Sequence, residues 1–340
     1  MPTRLTDFGA RPLLDIASYA RRGPSRRDHL SHEETGLIER TARRTPEVMV
    51  KVLSRGGQDL KAIGRHLGYL NRGGEVDIET DDGQRLSGKG IEKELLEDWD
   101  LDLEEHRRKA DLESWSTRPP PKFVHKLMFS MPAGTPPDKL LSAVKNFARE
   151  EFGLKHRYAM VLHTDQPHPH VHMVVKAVSE QGVRLHIRKA TLREWRCEFA
   201  RHLRALGITA NATDRAVRGE NRSAKRDGIY RAEQRDESRH TQARAEAVAA
   251  ELLKGNLRVE AGKARLLETR EQVERGWWAV SDVLVAEGRP ELAAQVRRFV
   301  AGMLPPLTER EVIANELRGR ISEPRDRDTR ARISKSARSR

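Results

Sequence analysis

The chain has 340 residues, and its 64 Lys and Arg exceed its 51 Asp and Glu, giving a formal net charge of +13. Such a length is typical of about two domains. The basic excess favours a polyanionic partner such as nucleic acid, the alternative being a basic protein without such a partner. One cysteine excludes an intramolecular disulfide framework and any cysteine-rich zinc module. No signal-like segment and no run of ~18 apolar residues is present, so we expect a cytoplasmic protein without membrane insertion.

The residue pattern predicts an α+β domain followed by a smaller helical region. Residues 1–46 are arginine-rich and weakly patterned, which indicates a basic N-terminal arm. Between residues 47 and 235, strand-like and helix-like runs are mixed without strict βαβ alternation, as in an α+β domain. Residues 236–319 have helical spacing almost throughout and predict an all-helical domain. The basic tail 320–340 is predicted to be disordered.

The elements of the α+β domain follow from their apolar spacing and from the Gly and Pro residues that bound them. Strands are predicted at 48–55, within 75–83, at 123–132, at 157–163 and at 171–178. Helices are predicted at 59–72, 90–109, 138–152 and 190–206. We therefore expect an antiparallel sheet that includes a His-x-His strand and is packed against helices.

The segment HTDQPHPHVH, residues 163–172, holds four of the 13 histidines. Side chains alternate between the faces of a strand, so a hairpin that pairs His163 with His170 or His172 brings these three imidazoles together. Three neutral imidazoles can bind a divalent metal, and Asp165 could orient one of them through its second nitrogen. The alternative is a polar turn with fortuitous histidines. His168 lies in the turn itself, where we expect a spectator or a phosphate contact.

A metal site in a basic chain favours phosphodiester chemistry, which needs a nucleophile, and Tyr69 is one candidate among the four tyrosines. It lies on the predicted helix about 140° from the centre of the apolar stripe, so it is not an obvious core residue. That stripe comprises Leu60, Ile63, Leu67 and Leu70. Arg65 and Arg72 flank Tyr69 and are suited to phosphate binding, although an amphipathic surface tyrosine is the alternative. Tyr158 is expected to point away from the His163 face.

The histidine spacing is not His-Glu-x-x-His on a helix, which disfavours a zinc protease.

Three segments resemble, in order, the motifs of conjugative relaxases. They are GRHLGYLNRGG, HKLMFSMPAGT and HTDQPHPHVHMVVKA. Relaxases are mobilisation nucleases of the His-hydrophobe-His (HUH) class, and the likeness is greatest to the border-nicking relaxase of tumour-inducing plasmids. The segment ATDRAVRG, residues 212–219, resembles one that follows the third motif there. The likeness covers roughly residues 48–220.

The resemblance implies a role for each motif residue. Tyr69 matches the nucleophile, and Ser130 matches the serine implicated in holding DNA near the nick. The metal-binding histidines fall on His163, His170 and His172. Asp165 matches the acidic partner of the third motif and would assist proton transfer or orient a histidine. The chain departs from the pattern in a long insertion between the first two motifs and in a longer basic N-terminal arm.

The implied activity is metal-dependent nicking and rejoining of one DNA strand at an origin of transfer, by tyrosine transesterification with Mg²⁺ or Mn²⁺. This reaction initiates conjugative transfer or plasmid mobilisation. The implied partners are single-stranded and supercoiled DNA at the origin, accessory DNA-binding proteins, a coupling protein and type IV secretion machinery, with the protein travelling into recipient cells on the strand.

Two other functions stay open. A rolling-circle replication initiator would place its tyrosine after the histidines, where only Tyr230 is found, and a nucleic-acid-binding protein could keep the fold without catalysis. The C-terminal region is either a docking domain with a transport signal or a helical cap with a solvated tail that raises non-specific DNA affinity.

Overall fold

The computed structural model describes residues 30–53, 57–101, 103–105, 121–221, 232, 235, 238–255 and 257–322. Among these, residues 31–213 form one compact unit, and Leu30 with residues 214–322 forms another. Most of the predicted basic arm, the tail from residue 323, and Tyr230 lie outside the described residues. The predicted α+β class is confirmed, with an antiparallel sheet in the first unit and helices in the second.

The first unit contains six strands and the helices that pack on them. Its helices are α1 (His32–Ala42), α2 (Leu60–Leu70), α3 (Ile91–Asp98), α4 (Pro137–Phe152) and α5 (Lys189–Ala205). Its strands are β1 (Met49–Leu53), β2 (Ile78–Thr80), β3 (Arg85–Leu86), β4 (Val124–Ser130), β5 (Tyr158–His163) and β6 (His170–Lys176). The strand order is β1-β4-β6-β5-β2-β3, and every neighbouring pair is antiparallel.

Each face of the sheet has its own apolar core, as the alternation of side chains requires. Ala159, Val161 and Val174 pack in one core with residues of α2 and α3. Tyr158 and Met160 belong to the other core, which contains residues of α4 and α5. Tyr158 therefore lies on the face opposite to His163, as the alternation along β5 predicts.

Helix α1 lies within the segment predicted as a basic arm. Ser31 and Glu34 form a capping box, in which each side chain bonds the backbone N–H of the other residue. Leu37 and Ile38 are buried. The helix signal is the Ser-x-x-Glu pattern, which is easily overlooked beside the many arginines of this region.

The second unit is helical in its described part. It contains a 3₁₀ segment, Arg215–Arg218, and the helices α6 (Arg239–Leu253), α7 (Lys263–Ala286), α8 (Pro290–Ala301) and α9 (Glu309–Ser322). The indole nitrogen of Trp277 donates to the carbonyl of Val217 at 2.8 Å, and the Arg270 guanidinium donates to the carbonyl of Gly219. These bonds tie the segment after residue 213 to α7.

Among the described helices, none combines the length and the apolar character needed to cross a membrane.

The turn after α2 is held by a buried asparagine and a close backbone approach. The Asn71 side chain donates to the carbonyl of Gly88 at 3.3 Å and accepts from the N–H of Gly73 at 3.0 Å. Gly74 has φ of +106°, and a Cβ there would lie 2.6 Å from the carbonyl carbon of Gly88. Only glycine fits this contact, because the neighbouring atoms are backbone and cannot move aside.

We expect Gly74→Ala to lower the free energy of unfolding by more than about 1 kcal/mol, since it adds left-handed strain to steric overlap. Gly68→Ala is the matched control, because Gly68 is in α2 and an added Cβ meets nothing within 4 Å. It should leave stability unchanged or raise it by up to about 1 kcal/mol. Urea unfolding followed by circular dichroism measures both. Equal stability of the two variants would show that the turn can relax around a side chain at residue 74.

Candidate metal centre

Three histidines converge at one end of the sheet. His163 ends β5 and pairs with His170, while His172 lies two residues further along β6 on the same face. Their ring centroids are 5.1, 5.1 and 5.3 Å apart. One ring nitrogen of each lies within 4.8 Å of the others, and all three residues are buried. With His nitrogens about 2.1 Å from a bound metal, this spacing suits three ligands around one cation.

In two of the three histidines, a hydrogen bond from one ring nitrogen to a main-chain carbonyl fixes the orientation of the ring. Nε2 of His163 donates to the carbonyl of Leu70 at 2.8 Å, and Nδ1 of His170 donates to the carbonyl of His168 at 3.1 Å. Because a carbonyl only accepts, the other nitrogen of each ring keeps its lone pair. Nδ1 of His172 is buried and has no hydrogen-bond partner among the described residues. These residues therefore fit a divalent cation.

Burial favours the neutral form of two of the three rings, those of His163 and His172. It lowers the pKa of His172 to about 3, and the neighbouring His163 and His170 act in the same direction. Burial also lowers the pKa of His163, although the Leu70 carbonyl opposes this effect. Since the neutral imidazole is the form that binds a metal, no proton has to leave these two rings at neutral pH.

Asp165 follows β5 and forms an ion pair with Arg72. Slight burial acts to raise the pKa of this carboxyl, but the charge of Arg72 and the hydrogen bonds lower it overall. The ring nitrogens of His163 and His170 that an acidic partner would bond are instead taken by main-chain carbonyls. Main-chain carbonyls thus orient these two rings, and the Asp165 carboxylate instead pairs with Arg72.

Tyr69 lies on α2, and its side chain is 50% exposed. Its ring is nearly parallel to that of His66, with an interplanar angle of 17° and centroids 6.5 Å apart. His66 in turn meets His172 edge to face at 6.2 Å. The insertion between the first two motifs does not separate the end of α2 from the cluster, because the Leu70 carbonyl bonds His163 directly.

Ser130 ends β4 opposite His170. It is buried, and its hydroxyl donates to the carbonyl of Pro169 at 3.1 Å. This hydrogen bond fixes the backbone of Pro169, the residue that precedes His170. His168 contributes its carbonyl to the ring of His170, while the His168 side chain is exposed.

Two contacts of the site were not predicted from the sequence, although their residues lie within the first and third motif segments. His66 bridges Tyr69 and His172, and burial lowers its pKa to about 4, with the Lys126 and His163 charges contributing. Its position three residues before Tyr69 places both on one side of α2, and this spacing is the signal that could have identified it. The pairing of Arg72 with Asp165 has no local signal, since 93 residues separate them.

A second group of possible ligands, Glu150, Glu198 and His202, lies on α4 and α5. Arg201 pairs with Glu150 at 2.6 Å and with Glu198 at 2.7 Å. The guanidinium already neutralises both carboxylates, so the histidine cluster is the stronger candidate for a metal.

We expect His163→Ala, His170→Ala and His172→Ala each to weaken Mn²⁺ binding at least about tenfold, because each removes one nitrogen donor. His168→Ala is the matched control and should stay within about twofold, since only its main-chain carbonyl contacts the cluster. Isothermal titration calorimetry measures the affinities. A comparable loss in the His168 variant would put its imidazole among the ligands.

Comparison with known families bears on this part of the chain. A family model described as "Relaxase: MobA/VirD2-like, nuclease domain" matches residues 76–207. The matched stretch contains Ser130, Asp165 and the three histidines, and it begins after Tyr69. The search of curated proteins finds no match. The stretch that carries the histidine cluster is thus similar to the nuclease domain of MobA/VirD2-like relaxases, which supports a DNA-nicking nuclease of the HUH class.

Proposed function

We propose that this protein nicks and rejoins one DNA strand at an origin of transfer, with Tyr69 as the nucleophile and a divalent cation on His163, His170 and His172. The observation that carries the proposal is the hydrogen bond between His163 and the Leu70 carbonyl, 2.8 Å long. It joins the histidine cluster to the end of the helix that bears Tyr69. The helix that bears the tyrosine is therefore in direct contact with the candidate metal centre, and the stretch that carries the histidines is similar to a relaxase nuclease domain.

The reaction is a transesterification. A cation bound by the histidines would polarise the scissile phosphate and offset charge in the transition state. Oη of Tyr69 attacks the phosphorus and loses its proton, while the bond from phosphorus to the 3′ oxygen breaks and that oxygen takes up a proton. The product is a 5′-phosphotyrosyl link and a free 3′-OH. The phosphotyrosyl link is itself a phosphodiester. The 3′-OH can therefore attack it, release Tyr69 and reseal the strand.

The donor set bears on which ion is bound. Imidazole nitrogens suit transition-metal ions, whereas Mg²⁺ prefers oxygen ligands and keeps much of its water. We therefore propose that Mn²⁺ binds this cluster more tightly than Mg²⁺, although either could support the reaction.

The histidine face of the sheet also offers a contact for the DNA backbone. Lys51 on β1 pairs with Met128 on β4, and Met128 pairs with His172 on β6. Neighbouring strands are about 4.8 Å apart, so the exposed Lys51 lies on the same face roughly 10 Å from the cluster. A lysine at this distance is suited to a phosphate next to the scissile one.

We expect Tyr69→Phe to bind DNA but to form no covalent adduct, because only the nucleophilic oxygen is lost. The assay incubates the full chain and Mn²⁺ with a supercoiled plasmid that carries the DNA flanking its gene. SDS gels detect the adduct, and primer extension maps the nick. Tyr158→Phe is the control, since Tyr158 is buried on the opposite face, and it should form the adduct normally.

Adduct formation by the Tyr69 variant would move the nucleophile elsewhere, with Tyr230 the first candidate, as in a rolling-circle initiator. DNA binding without an adduct in the wild-type protein would favour a non-catalytic nucleic-acid-binding protein.

We further propose that the tail serves export with the DNA strand, recognised by a coupling protein and type IV secretion machinery. Deleting residues 323–340 leaves α9, which ends at Ser322, intact. We expect nicking in vitro to survive while transfer between cells drops at least about tenfold. A tail with every arginine replaced by lysine keeps the charge and tests whether charge alone suffices. Unchanged transfer by the truncated protein would refute the export role, and a joint, salt-dependent loss would indicate non-specific DNA affinity.

A further inference from the structure

Arg72 adopts a backbone conformation that does not suit its residue type. It follows α2 with φ of +54°, in the left-handed region that glycine enters freely and other residues avoid. Gly73 and Gly74 come next, with φ of +68° and +106°. For those two the conformation is explained by the missing side chain. Arg44, Asp100 and Leu154 also have positive φ among the described residues, so a role for the Arg72 side chain follows from its contacts and not from its backbone.

The Arg72 side chain joins Tyr69 to the loop between the histidine strands. Its guanidinium carbon lies 5.4 Å from the centre of the Tyr69 ring, within the range of a cation–π contact. The same guanidinium forms an ion pair with the carboxylate of Asp165. The backbone N–H of Arg72 donates to the Tyr69 carbonyl at 3.3 Å. A main-chain hydrogen bond to Tyr69 thus holds the backbone of Arg72, and the ion pair with Asp165 holds its guanidinium.

Asp165 is hydrogen-bonded to Arg72 and not to the metal-binding rings, although its charge also acts on His163. His163 and His170 are oriented by the carbonyls of Leu70 and His168. An influence of Asp165 on the reaction therefore has a visible route through Arg72 to the tyrosine ring.

We propose that Arg72 is a positioning residue for Tyr69, and that Asp165 acts through Arg72 by holding the guanidinium against the tyrosine ring. The inference rests on the proposed function, in which Tyr69 is the nucleophile. The Tyr69 ring is half exposed, and a fixed guanidinium beside it restricts the directions its hydroxyl can take. Restricting those directions in advance raises the rate of attack on a bound phosphate without tightening DNA binding.

The test uses the full chain, Mn²⁺ and a single-stranded oligonucleotide that spans the mapped nick site. The rate of adduct formation is measured at saturating DNA for Asp165→Asn, for Arg72→Gly and for the double variant. Arg72→Gly is informative because glycine relieves the left-handed conformation, so its unfolding midpoint should be unchanged or higher. Asp98→Asn is the matched control, since Asp98 is 49% exposed and pairs with Arg157 at 2.6 Å, at the far end of β5.

Both single variants should form the adduct at least about tenfold more slowly, with affinities for DNA and Mn²⁺ within about twofold of wild type. The double variant should be no slower than the slower single one, because both changes break the same link. The control should match wild type.

Three results would overturn the proposal. A normal rate in Asp165→Asn with a slow Arg72→Gly would mean that Asp165 does not act through Arg72. Multiplied losses in the double variant would mean that the two residues act independently. Weaker Mn²⁺ binding in Asp165→Asn would route its effect through the histidines. Absence of any adduct in wild type is different, since it refutes the proposed function itself and this inference with it.

Discussion

The pairing of His163 with His170 across β5 and β6 is the constraint on which the candidate site depends. Because strand side chains alternate between faces, a shift of one residue would turn His170 and His172 toward the other face of the sheet. That face is packed with Val171 and Met173 against the helices behind it. Apolar residues with no chemical role therefore enforce the register. A shifted register would expose Val171 and Met173 on the histidine face, and the free-energy cost of this exposure keeps the three imidazoles on one face.

A second constraint ties α2 to this hairpin. The helix buries Ile63, Leu67 and Leu70 against the histidine face of the sheet, and the Leu70 carbonyl meets His163. Tyr69 is exposed because it lies about 140° from the centre of this buried stripe on the same helix. One helix thus supplies a core contact, a histidine partner and an accessible tyrosine, and each follows from the helical angle of its residue.

Much of this arrangement could be predicted from the sequence because it obeys local rules. Alternation along β5 and β6 predicted which side chains share a face, and the helical angle of Tyr69 predicted its exposure. The contacts of Asp165 could not be predicted, since they depend on how α2 docks on the sheet. The helix α1 was overlooked because its capping box is short and its surroundings are rich in arginine. The bonds from Trp277 to Val217 and from Arg270 to Gly219 could not be predicted either, because the partners are distant in the chain.

The groups that orient His163 and His170 are main-chain carbonyls, those of Leu70 and His168. Every amino acid supplies a carbonyl, so the residue types at these two positions can drift during evolution without changing the contacts. The number of residues between the two strands cannot drift in the same way, because an inserted or deleted residue would carry the His168 carbonyl away from its ring. Comparison of related chains should therefore find the length of this turn preserved more strictly than its composition.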